Sequence, residues 1–476
     1  MKKYFMFATV AIAALFASCS NSDDFVAPQV ISEDVDSGDA LVPIQIGVGS
    51  HVDVSTRGTG TVGSIGGDVD DSEWNGQLIN VYMFKKGTLD LSMEKDPNGT
   101  DADVPIFNNQ LMITPGSGVG IAPTSEHTGK AMVWDLDDAG KRGVIKYYPQ
   151  LGNYDFFGYH GDNATAVPTL NSEGNAYEAD FTIDGSQDLM STKAVEYGTW
   201  PNATDDVTRY FSAYSGRRGI HPNLPFDHLL TRLQFNIKAG DEGAAGVEAG
   251  VQVDPSTSAY KGVKVKSIEI FSRKSGKLLT AWTSEAGVQD PVNNTEDEKL
   301  QIRASKIKWN DIVYDATDPD ANTCGWLALK QRPGTDPSAN LVPLEPVAPD
   351  YNAAALDVAD KFPFKQVGEA LIVSKPLTVT PNAEHTDAAS VGTEGDTYFI
   401  RIAIVQNVSG NHMSEVPGEK PFTTVTSFTA PSGESGFKLG YSYNVNLVLY
   451  GAEEIKVYTT IAPWSVITKP IDLPVE

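Results

Sequence analysis

Two residues sit where covalent chemistry can act on the chain itself. Cys19 ends the run "LFASC" (Leu15 to Cys19), directly behind an apolar stretch. Arg57 and Gly58 lie inside "HVDVSTRGTGTVGSIGG" (His51 to Gly67), where an alternating apolar run gives way to a glycine-rich tract. A chain of net charge −26 thus places a lone basic residue between a likely strand and a likely flexible loop. Chemistry performed by the chain finds no matching pattern. "GTGTVG" (Gly58 to Gly63) fits G-x-G-x-x-G, but "SIGGDVDDSE" follows it, where a pyrophosphate needs the start of a helix. The histidines show neither H-x-x-x-H nor H-x-H spacing, so no zinc site is expected. His228, beside a strand, reads as a hydrogen-bonded structural residue rather than a base. No G-x-S-x-G elbow occurs. "DATDPDAN" (Asp315 to Asn322) lacks the glycine and distal glutamate of a calcium loop and reads as a solvated loop. Nothing selects one carboxylate pair for glycoside cleavage among 62 acids. The expectation is a chain without cofactor, metal or enzymatic activity.

The elements that place Cys19 and Arg57 follow from patterning. Lys2 and Lys3 precede an apolar run from Tyr4 to Phe16, too short to span a bilayer. This reads as a secretion signal over residues 1–18. "LFASC" resembles a bacterial lipobox, with Phe16 atypical three positions before the cysteine. The resemblance makes Cys19 the lipidated first residue, and the bland alternative is an incidental cysteine behind an ordinary signal. "CSNSDDF" resembles the signal that sends some lipoproteins to the outer surface of Gram-negative cells, so the lipid anchor is expected in the outer membrane. A net charge of −26 and a pI near 4.6 argue against a nucleic-acid partner. Only Cys19 and Cys324 occur, so no internal disulfide is expected, and Cys324 in "NTCGWLAL" reads as a buried small hydrophobe.

Residues 19–40 read as an acidic tether. From Leu41 the pattern changes: Ile44, Ile46, Val48, Val52 and Val54 share one parity, the mark of a half-buried strand. Pro43 suggests an edge position. Full burial of five such side chains is worth on the order of 8–15 kcal/mol. Strand-like alternation continues to the end, most clearly in "LLTRLQFNIKAG", where Leu229, Thr231, Leu233, Phe235 and Ile237 face one way. "YSYNVNLVLYG" and "EIKVYTTIAPW" read as paired strands. The best helical candidate is "NAAALDVADKF" (Asn352 to Phe362). The sum is an all-β chain of two tandem β-sandwich domains, residues 41–232 and 233–476, with a soft boundary around "LPFDHLLTRLQF". In the tail, Ile467, Ile471, Leu473 and Val475 share one parity, interrupted by Lys469, while Pro470 and Pro474 fall on the other. That suits a strand paired on one edge.

Several segments in order resemble the fimbrillin family, the lipoprotein pilins of type V pili. They are "STRGTG", "YYPQLGNYDFFGYHG", "IDGSQDLMST", "FDHLLTRLQFNI" and the closing "YSYNVNLVLYGAEEIKVYTTIAPW". The resemblance implies two Greek-key, transthyretin-like sandwiches, export as a lipoprotein, cleavage between Arg57 and Gly58 by a trypsin-like protease to which the flexible glycine tract gives access, and polymerisation with other pilin subunits by strand exchange. The strand bearing Ile44 to Val54 would be displaced, and the tail bearing Ile467, Ile471, Leu473 and Val475 would be donated. Two plainer readings stand beside these: Arg57 as a charged block at an edge strand, and a tail folded onto its own domain. The competing function is a surface glycan-binding lipoprotein of a polysaccharide-uptake system, using exposed rings such as those of "YDFFGYHG".

Overall fold

Alternation in the sequence becomes alternation in burial. Leu229, Thr231, Leu233, Phe235 and Ile237 are all buried, while Gln234, Asn236 and Lys238 stand half-exposed. The computed structural model describes residues 41–48, 78–94, 104–113, 133–134, 146–161, 167–197, 211–217, 220–257, 259–288, 295–331, 342–406, 422–450 and 455–462.

The N-terminal strands used below are β1 (Gly47–Val48), β2 (Leu78–Lys85), β3 (Gln110–Ile113), β4 (Tyr154–Gly161), β5 (Ala176–Thr182), β6 (Leu189–Lys193), β7 (Val195–Tyr197) and β8 (His221–Leu224). A sheet runs β6-β4-β2-β3 and is extended by residues 133–134. A second, smaller sheet runs β1-β8-β7. Both faces of the first sheet are buried. Ile79, Val81, Met83 and Phe156 enter a core shared with β8, and Tyr82, Phe84, Phe157 and Tyr159 enter a second core that continues through the C-terminal half.

The C-terminal strands are β9 (Thr231–Ala239), β10 (Val263–Arg273), β11 (Ser275–Trp282), β12 (Ile307–Trp309), β13 (Cys324–Ala328), β14 (Lys365–Ile372), β15 (Leu377–Pro381), β16 (Ala388–Glu394), β17 (Thr397–Gln406), β18 (Phe422–Thr429), β19 (Ser442–Leu449) and β20 (Ile455–Ala462). Two sheets, one containing β14-β9-β19-β20 and the other β13-β10-β17-β18, face each other across the second core. Phe235 meets Phe428 edge-on across this gap, 6.4 Å between centroids. In β10 the inward parity changes from Val263 and Val265 to Ile268 and Ile270, because a bulge between Val265 and Ser267 absorbs one residue. The strands β19 and β20 pair antiparallel over their whole length, as the two closing alternating runs indicate. The chain is therefore all-β, built of sandwich layers in tandem. The boundary expected between residues 232 and 233 falls inside β9. Moreover, β5, from before it, pairs with β11, from after it.

The helical expectation is corrected. Residues 352–362 form turns and one 3-10 turn, Ala359–Lys361. Asn352 and Asp357 accept from the backbone N–H groups of Ala354 and Ala359, and such local bonds compete with a helix. The helix over Glu296–Ser305 went unread, although Thr295 caps it and Glu296, Asp297 and Glu298 fill its first turn. Cys324 is buried, as expected, with its thiol pushed up by burial.

Two of the buried charge clusters among the described residues brace the C-terminal half. On the outer face of the β14-β9-β19-β20 sheet, Arg232 donates from Nε at 3.0 Å and Nη2 at 2.7 Å to Glu369 Oε2. At the junction of the two halves, Arg303 donates to Asp227 at 2.9 Å and Lys306 to the Ser191 carbonyl at 2.9 Å. Burial pushes the Lys306 ammonium down to about 8, against the opposing pull of Asp227. Removing one partner of a buried pair leaves an uncompensated charge. Glu369→Ala is therefore expected to lower stability by about 3–5 kcal/mol in urea unfolding. The double variant Arg232→Met/Glu369→Met should lose much less. Equal losses for both variants would contradict this assignment.

Candidate functional site: the seat of the N-terminal segment

Segment 42–48 alternates as its sequence requires. Val42, Ile44 and Ile46 are 7%, 5% and 1% exposed, and Pro43 and Gln45 stand half-buried between them. The three side chains enter the core that holds Ile79, Val81, Met83, Phe156 and Leu224. The backbone changes partner along the way. At its start, Ile44 N–H donates to the Lys146 carbonyl at 2.8 Å, and Tyr148 N–H donates to the Val42 carbonyl at 2.9 Å. At its end, β1 runs parallel to β8, Gly47 opposite Asn223 and Val48 opposite Leu224. Pro43, opposite Tyr147, lies between the two bonds to residues 146 and 148, where its missing N–H breaks neither.

A helical turn closes the groove from one side. Ser212 and Ser215 form a reciprocal capping box that fixes the four-residue helix Ala213–Gly216. Gly216 lies under Val42: a Cβ there would stand 2.9 Å from Val42 Cγ1 and 3.4 Å from the Tyr148 ring. The ring of Tyr148 also meets Phe156 edge-on at 6.2 Å, and burial pushes its hydroxyl far up. On β8, His221 is pushed down to about 4 by burial. Its Nδ1 has no hydrogen-bond partner among the described residues.

The seat thus binds an extended, alternating apolar strand by ladder bonds on two sides and pockets on one face. Full burial of three such side chains is worth about 5–9 kcal/mol, the same order as the 5–15 kcal/mol that stabilises a typical domain. Of the residues singled out in the sequence, Ile44 and Ile46 are buried here and Val48 takes its place in the ladder. Val42, Gly216 and Tyr148 were missed. Val42 shares the parity of Ile44, but nothing in the local sequence marks Gly216 and Tyr148 as its neighbours. Cys19, Val52, Val54, Arg57, Gly58, Ile467, Ile471, Leu473 and Val475 lie outside the described residues.

Other candidates have structural explanations. His228 Nδ1 is paired with the Asp188 carboxylate, both side chains fully buried at the junction of the halves. Asp315 Oδ1 accepts from the N–H and hydroxyl of Thr317 at 2.8 and 2.7 Å, which closes an exposed turn. The rings of Tyr154, Phe156, Phe157 and Tyr159 are buried, so this stretch presents no stacking surface to a sugar. Among the described residues no group of three His, Cys, Asp or Glu side chains is placed to hold a metal. No described helix is long and apolar enough to cross a membrane.

This geometry defines a class: an all-β protein whose first core is completed by the extended segment 42–48. No family model matches the chain, and no curated protein does. Similar solved structures include one from Bacteroides uniformis, provisionally described as a cell adhesion protein, with 13% identity, a TM-score of 0.36, and coverage of 90% of this chain and 99% of that one. A fimbrial protein from Bacteroides ovatus is similar at 11% identity and a TM-score of 0.26, over 88% of this chain and 50% of that one. The fimbrial anchor protein Mfa2 from Porphyromonas gingivalis is similar at 10% identity and a TM-score of 0.27, over 89% of this chain and 98% of that one.

Ile46→Ala leaves a cavity where the segment is most deeply set, and an expected loss of about 2–5 kcal/mol in denaturant unfolding follows. A loss below about 0.5 kcal/mol would show that the segment contributes little. His221 gives a pH signature. It is neutral in the fold and takes up a proton on unfolding, so its share of the stability is complete above the unfolded pKa of roughly 6.5. That share declines as pH falls from there toward about 4. His221→Gln should flatten the stability profile in this window, and an unchanged slope would assign the acid sensitivity elsewhere.

Proposed function

We propose that this protein is a subunit of a cell-surface fibre, exported as a lipoprotein on Cys19 and matured by a trypsin-like cut between Arg57 and Gly58. The cut frees the segment that carries Val42, Ile44 and Ile46. The groove it leaves is filled by an extended strand from another subunit through β-augmentation. The observation that carries this reading is the seat itself. A segment preceding the arginine in the chain fills three apolar pockets of the first core and is held by backbone bonds on two sides. A vacated seat exposes apolar surface and unpaired backbone groups together, which a second strand covers and water does not.

The donor is the C-terminal tail, with Ile467, Ile471, Leu473 and Val475 as its alternating apolar residues. It follows β20, which lies at the edge of its sheet. The partners are other pilin subunits and the processing protease, and the site of action is the outer membrane surface and the fibre built on it.

Limited digestion of the purified chain by a trypsin-like protease is expected to yield a new N-terminus at Gly58, read by N-terminal sequencing, and filaments in electron micrographs. Arg57→Ala should block both. A chain ending at Trp464 should be cut and yet fail to polymerise. Filaments of equal length from that truncated chain would remove the tail from the mechanism, and cleavage without any filaments from the full chain would overturn strand replacement.

A further inference from the structure

The outer face of the β14-β9-β19-β20 sheet carries an unusual row of carboxamides. Gln366 on β14, Gln234 and Asn236 on β9, and Asn444 and Asn446 on β19 all stand on it. Asparagine is poorly suited to strand interiors, and three occur here on two adjacent central strands. The hydrogen bonds within the row fix how the amides are turned. Buried Glu369, neutralised by Arg232, accepts from Gln234 Nε2 at 3.1 Å and from Gln366 Nε2 at 2.7 Å. Asn236 Nδ2 donates to the side-chain oxygens of Asn444 and Asn446 at 3.4 and 3.3 Å.

This arrangement leaves a defined set of outward groups. Gln234 Oε1, Gln366 Oε1 and Asn236 Oδ1 remain as acceptors and Asn444 Nδ2 as a donor, all on half-buried residues, while Asn446 is buried. None of these outward groups has a partner among the described residues. Two rings border the row. Phe364 is 41% exposed and Tyr458, on β20, 43%, with their centroids 6.2 Å apart. The row crosses two inter-strand steps, about 10 Å.

We infer that this sheet face is a binding site for a neutral glycan chain. Pre-oriented donors and acceptors side by side match the paired hydroxyls of a sugar, and each hydroxyl both donates and accepts. The half-exposed Tyr458 ring offers an apolar face to the C–H side of the same sugar, beside a Phe364 ring over which Lys238 Nζ lies at 4.7 Å. The one carboxylate in the row is neutralised from within the fold, so the face has no call for a charged ligand at its centre. The site stands apart from the strand-replacement seat and does not rest on it. It supplies an adhesive surface to the subunit whether or not the chain polymerises.

The test uses the purified, uncleaved chain on a glycan array, followed by titration calorimetry with maltohexaose, mannohexaose, xylohexaose and N-acetyllactosamine oligomers. At least one neutral oligosaccharide is expected to bind. Asn444→Ala and Tyr458→Ala should each weaken it by about tenfold or more, the loss of one good polar or stacking contact. Ser427→Ala on the opposite sheet should leave affinity unchanged, and all three variants should melt within a few degrees of the parent. No binding across the array overturns the inference. So does binding that both face variants leave intact, or binding confined to acidic glycans, which would point to Lys238 and Lys456 at one end of the face instead. Concentration-dependent self-association abolished by Tyr458→Ala, with no glycan bound, would make the face a contact between copies and equally overturn it.

Discussion

The structure depends on one sheet that is dry on both sides. The strands β2 and β4 send Val81, Met83 and Phe156 into one core and Tyr82, Phe84, Phe157 and Tyr159 into the other. Every side chain from Ile79 to Phe84 except Asn80 is buried. A sheet in this position cannot tolerate a vacancy on either face, because water admitted on one side reaches residues that brace the other. The ring of Phe157 illustrates the coupling: it belongs to β4 yet packs edge-on against Trp282 of β11, 5.0 Å between centroids.

The N-terminal segment has its importance from this arrangement. It completes the first core, and it bridges two pieces of backbone, residues 146–148 on one side and β8 on the other. The small features around it serve that single task. The capping box holds a four-residue helix that would not persist alone. Gly216 has no side chain where a methyl group would collide with Val42. The second core needs no such insert, since its two facing sheets are filled by residues from β9 to β20 together with the inner face of the first sheet.

Much of this was legible in the sequence, and the reasons are physical. Period-two burial is a local property, so β9, β19 and β20 were readable from their own residues, and Ile44 and Ile46 announced a buried strand. The helix at Glu296–Ser305 was missed because its apolar face is weak, and only its cap and its acidic first turn mark it. The stretch 352–362 misled because alanines favour a helix, while Asn352 and Asp357 draw the backbone into turns. The boundary was blurred for a different reason. The pairing of β5 with β11 joins residues about a hundred positions apart, and no local pattern encodes it. Gly216 under Val42 and the amide row oriented by Glu369 are of the same kind, visible only once distant segments lie side by side.

The parallel pairing of β9 with β19 has a consequence for how the chain comes into being. Arg232 lies opposite Ser442 and Ala239 opposite Leu449, so a central strand of the larger sandwich waits on a partner some two hundred residues later. Likewise β5 stays incomplete until β11 has emerged. A polypeptide that emerges from its N-terminus can close neither pairing early, and loop closure over such distances is slow. The growing chain therefore passes through an interval before these strands pair, during which its net charge of −26 keeps neighbouring copies apart.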